Sequence, residues 1–168
     1  MIDPATMSAG VYTYTVAGTA PCPDETATVT VAINTPPDPG TNGSITLCNT
    51  GAAVSLFAQL GGTPDAGGTW SGPSPVVGSM IDPATMSAGV YTYTVAGIAP
   101  CPDENATVTV IIEQQPDAGI DGGLTLCSSS PATALFSGLS GTPDAGGVWT
   151  GPGGVASNGM FTAGTSAV

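Results

Sequence analysis

The chain has 168 residues with twelve acids, no Lys, no Arg and no His, and so a formal charge of -12. That inventory excludes nucleic acid as a partner, because binding it requires cations that neutralise phosphates, and an anionic membrane surface on the same ground. It also removes the His base, the Lys nucleophile and the Arg clamp from catalysis, so the sequence reads as no enzyme and calls for no cofactor.

The chain repeats itself. Residues 1–31 read MIDPATMSAGVYTYTVAGTAPCPDETATVTV, and residues 80–110 match them except at Thr19/Ile98 and Thr26/Asn105. The register holds onward, with Cys22 on Cys101, Cys48 on Cys127 and Trp70 on Trp149, a period of 79. A fixed period describes an array of like modules, and near-identity favours copy number over a private active site in any one copy. Gly (25) and Pro (16) are abundant, but 41% of residues are hydrophobic and fall in alternating runs, which favours a folded, β-rich chain over a disordered one. The segments Asn34–Gly40 and Glu113–Gly119 carry the linker prolines, which remove backbone donors and stiffen the joint. Three parts follow: residues 1–36 as the back of one repeat, 37–115 as one complete repeat, and 116–168 as the front of the next. Met1 aligns with Met80 inside the repeat, so the chain is expected to be a window on a longer array. No apolar run is long enough for a transmembrane helix, and none resembles a signal peptide.

Within the complete repeat, short strands alternate with turn residues. Strands are expected at 44–48, 53–60 and 69–71, with brief ones near Val76-Val77 and Met80-Ile81. The clearest alternation is at 90–95, which puts Tyr91, Tyr93 and Val95 on one face, and at 106–112, which points Val108, Val110 and Ile112 inward. These last two strands form a hairpin. About seven strands in about 79 residues predict an all-β immunoglobulin-like sandwich, repeated in a linear array.

Four cysteines are the first candidates for chemistry. One pairing joins Cys48 to Cys101 within the complete repeat and leaves Cys22 and Cys127 for repeats outside the window; it supports a small core. The competing pairing joins Cys22 to Cys48 and Cys101 to Cys127 across the linkers, and two free buried thiols are the third possibility. Asp117 and Asp121 lie four apart among turn glycines, a weak calcium candidate, since calcium takes six to eight oxygens. Read blandly, these acids, together with Asp65, Asp103 and Glu104, are solvated turn residues. Phe57, Trp70, Tyr91 and Tyr93 are expected in the core. Asn42-Gly43-Ser44 and Asn105-Ala106-Thr107 match the glycosylation pattern, a weak signal.

The ordered motifs Leu124-Thr125-Leu126-Cys127, residues 141–152 (GTPDAGGVWTGP), Ile81-Asp82-Pro83-Ala84 and residues 89–95 (GVYTYTV) resemble the repeats of giant Bacteroidota cell-surface adhesins of the SprB gliding-motility type. That resemblance spans the chain. It implies export by the type IX secretion system, residence on the outer cell surface, and a long filament moved by the gliding machinery while gripping an external surface or polysaccharide. The expected role is the stalk of such an adhesin, with neighbouring repeats of the same chain as its immediate partners. The alternatives are a glycan- or surface-binding module acting by multivalency and a self-assembling surface layer or sheath, including strand exchange between chains.

Overall fold

The computed structural model describes residues 3–152 and 156–162. Its regular structure is all-β apart from two short 3-10 turns. The chain divides into two compact units, Met1–Glu113 and Gln114–Val168.

The first unit opens with a hairpin, β1 (Gly10–Val16) against β2 (Glu25–Val31). The complete repeat follows: β3 (Gly43–Cys48), β4 (Val54–Ser55), β5 (Thr69–Ser71), β6 (Met80–Ile81), β7 (Gly89–Val95) and β8 (Glu104–Glu113). Four of these form one sheet in the order β3-β8-β7-β5, while β4 and β6 pair separately. The pairings β7–β8 and β5–β7 are antiparallel, but β3 lies parallel to β8, with Gly43 opposite Val108 and Cys48 opposite Glu113. The first and last strands of the repeat are therefore neighbours that run the same way.

The core follows from the alternation. Tyr91, Tyr93, Val95, Ala106, Val108 and Val110 are buried on one face of β7–β8 and meet Leu56, Leu60 and Ile81. Fully burying a side chain of this kind stabilises by roughly 1.5–3 kcal/mol. The stretch 53–60 departs from the expected strand: only Val54–Ser55 pair, and Phe57–Gln59 turn as a 3-10 helix. The Ser55 hydroxyl accepts the Ala58 amide at 3.4 Å, and the turn brings both Leu56 and Leu60 into the core, where a straight strand would also have directed Ala58 and Val54 to that face.

The second unit contains β9 (Thr133–Ala134), a 3-10 turn at Leu135–Gly138, β10 (Trp149–Thr150), β11 (Ala156–Ser157) and β12 (Met160–Phe161). Its β9–β12 pairing mirrors β4–β6, with Phe161 opposite Thr133 as Ile81 is opposite Val54. The segment 122–127 has the composition of β3 yet forms no strand. In the first unit that strand is held by β8, and among the described residues the second unit has no counterpart of β7 or β8. None of the described helices is long and apolar enough to cross a membrane.

Candidate functional site

The best-defined polar geometry in the complete repeat surrounds Tyr93. Its ring meets Phe57 edge-on at 5.4 Å and Trp70 at 5.1 Å. Its hydroxyl donates to the Asp65 carbonyl at 2.7 Å and accepts the Gly68 amide at 2.9 Å. The long turn 61–68 is thus tied to the core by one phenol. Gly68 permits the approach, because a Cβ there would meet the Tyr93 ring at 2.6 Å. Tyr91 donates to the Ser87 carbonyl at 2.7 Å, and Tyr12 makes the same bond to Ser8 at 2.7 Å.

The carboxylates hold loops by accepting backbone N–H bonds. Asp65 accepts the Asp38 amide at 2.9 Å, and the Asp38 carbonyl accepts the Asp65 amide at 2.7 Å. Asp117 and Asp144 repeat this clasp at the same two distances. Asp103 accepts the Gly97 amide at 2.9 Å, and Asp24 the Gly18 amide at 2.8 Å. Asp65 and Asp103 are exposed turn acids, as the sequence suggests, and each also closes a loop. The sequence signal was faint, since Asp38 and Asp65 meet only through the fold.

The calcium candidates are separated in role. Asp117 accepts the Gly119 amide on one oxygen and the Thr142 hydroxyl on the other, at 2.7 and 3.4 Å. Asp121 is exposed. No group of three acidic or other metal-ligating side chains occurs among the described residues, and two carboxylates offer at most four of the six to eight oxygens calcium takes. Asn42, the residue one repeat before Asp121, accepts the Thr107 amide of β8 at 2.8 Å. It pins the last strand of the repeat beside the first.

All four cysteines are free thiols. The expected bridge between Cys48 and Cys101 is corrected by the strand register. Cys48 pairs with Glu113 at the far end of β8, while Cys101 lies before its start. Ten residues at ~3.3 Å each put about 30 Å between those ends, whereas a disulfide needs Cα atoms within about 7 Å. The cross-linker pairs Cys22–Cys48 and Cys101–Cys127 are likewise unformed. Cys101 instead donates to the Asn34 carbonyl at 3.3 Å, on the incoming linker. The Thr50 hydroxyl beside Cys48, 3.2 Å away, lowers that thiol's pKa, and Ser129 does the same for Cys127 at 3.3 Å.

Two cavities lie in the second unit. One, of about 470 Å³, is walled by Leu124, Leu126, Leu135, Leu139, Trp149 and Phe161. The other, of about 530 Å³, is bounded by Ile120, Asp121, Phe136, Asp144, Gly147 and Trp149. Neither was foreseen from sequence. Compared with known proteins, the chain matches no family, no curated protein and no solved structure.

Proposed function

We propose that this chain is part of the stalk of a secreted cell-surface adhesin, an array of immunoglobulin-like β-sandwich repeats that serves gliding motility and surface attachment. The observation that carries the reading is the parallel pairing of β3 with β8. The chain enters the repeat at the Gly43 end and leaves at the Glu113 end, so tension along the chain pulls these neighbours in opposite directions. The ladder is loaded in shear, with its hydrogen bonds strained together instead of one by one. That arrangement suits a repeat whose work is to resist extension. The near-identity of the copies supports the same reading, because stability and length in such arrays grow by addition of like units. The absence of Lys and Arg supports exposure to proteases, since trypsin-like enzymes find no cleavage site.

Single-molecule pulling tests this. Handles at residues 37 and 113 load the β3–β8 ladder in shear; handles at 48 and 113 peel it from one end. The expected rupture force is clearly higher in the first geometry. Equal forces would contradict a tension-resisting stalk.

A further inference from the structure

Asn42 stands where the complete repeat begins its first strand, and a glycine follows it. Gly43 has to be glycine, because a Cβ there would land on the Gln59 carbonyl oxygen. The fold therefore puts a residue without a side chain directly after an asparagine, and that pair carries chemistry of its own. With no Cβ in the way, the Gly43 nitrogen can reach the Asn42 side-chain carbon and close a five-membered ring. Asn42 is exposed to water, which is the other reactant.

In the folded repeat this attack is held off. The Asn42 Oδ1 accepts the Thr107 amide at 2.8 Å. Thr41, before it, exchanges two backbone bonds with Gly61 at 2.9 and 3.0 Å. Gly43, after it, lies in the ladder opposite Val108 of β8. Ring closure needs the nitrogen within about 3–3.5 Å of the carbon and aligned with it. The side chain must therefore leave Thr107, and the backbone must turn out of the extended course of β3.

We propose that Asn42-Gly43 is a self-modification site, a deamidation site gated by the β3–β8 ladder. It reacts when β3 parts from β8 and not while Asn42 holds Thr107. The Gly43 nitrogen bonds to Cγ and gives up its proton, the side-chain nitrogen takes a proton and leaves as ammonia, and a succinimide remains. Water then breaks one of the two ring C–N bonds. Breaking the new bond leaves aspartate; breaking the original peptide bond leaves an isoaspartyl link that carries the chain through the side chain. No electrons are exchanged, and water is the one co-reactant. Aspartate preserves an acceptor for Thr107, and the next copy already carries Asp121-Gly122 at this place. The isoaspartyl link adds a carbon to the backbone and displaces the pairs of the ladder that follow Gly43. An opening of the ladder is thereby stored as a permanent change in it. The inference is independent of the stalk reading, because it concerns the chemistry at the start of a strand and not what the array does.

Ageing the 168-residue chain in mildly alkaline buffer, native and in urea, tests it. Peptide mapping with an acid-directed protease separates Asn42 from Asn158-Gly159, the other Asn-Gly pair of the chain, and isoaspartyl methyltransferase counts the isoaspartyl product. The expected result is conversion of Asn42 in urea and a rate roughly tenfold or more lower in the native protein, because the population of the opened form sets that rate. Val108→Ala removes buried methyl groups from β8 opposite Gly43; it raises the native rate several-fold and leaves the rate in urea unchanged. A second measurement needs no variant: in sub-denaturing urea the native rate climbs in step with hydrogen exchange of the Thr107 amide. Equal rates in native and urea-unfolded protein, or a native rate that does not follow Thr107 exchange, would overturn the gate. Asn42 left unconverted in urea would overturn the site itself.

Discussion

Replacing Tyr93 with Phe removes one oxygen and leaves the ring where it packs. The lost hydroxyl holds two backbone groups, the Asp65 carbonyl at 2.7 Å and the Gly68 amide at 2.9 Å. Each such bond contributes about 0.5–1.5 kcal/mol net, and the side chain is 2% exposed, so water replaces the lost contacts poorly. The expected destabilisation is about 2 kcal/mol. For a domain near this size that lowers Tm by roughly 8 °C or more. Tyr14→Phe is the matched control, the same substitution at the same place in the neighbouring copy. Tyr14 is 70% exposed, so the change there should stay within about 0.5 kcal/mol. Urea melts followed by far-ultraviolet circular dichroism, on dilute protein, compare the two. If both substitutions cost the same, the phenol does not tie the 61–68 turn to the core, and the account of the repeat fails with it.

Three other outcomes are expected. Asn42→Ala deletes the acceptor for the Thr107 amide and should cost about 1 kcal/mol; hydrogen exchange of residues 44–48 should speed up while β7 is little changed, and uniform acceleration would refute a local pin. Thr50→Val removes the hydroxyl that stabilises the Cys48 thiolate, so the thiol pKa rises and the pH profile of its alkylation by iodoacetamide moves to higher pH; an unmoved profile would show that Thr50 has no such part. Chelation or added calcium should leave the melting temperature unchanged, because the Asp117 oxygens already accept the Gly119 amide and the Thr142 hydroxyl; a drop of several degrees on chelation would restore Asp117 and Asp121 as a calcium site.

The hairpin β7–β8 was legible in the sequence because a half-buried strand writes its two faces as alternation, and Tyr91, Tyr93, Val108 and Val110 are buried where that pattern puts them. The run 53–60 was not, because short apolar runs fit a strand or a turn equally; the four-residue spacing of Leu56 and Leu60, both buried, marks the turn only in retrospect. The segment 122–127 shows a deeper limit. It has the composition of β3 but forms no strand, since a parallel strand needs its partner and local sequence does not supply one. The cysteines were ambiguous for a related reason. Whether Cys48 approaches Cys101 depends on whether β3 runs with or against β8, and only the fold decides that. The Asp38–Asp65 clasp spans 27 residues and joins two loops that composition alone describes as solvated.

Beads carrying an antibody against residues 37–113, placed on living cells, test the central claim most directly. The stalk account predicts that they attach to intact cells and travel along the cell body. Beads that attach only after lysis would contradict a surface location, and beads that attach but stay still would contradict a motility adhesin and favour a passive layer.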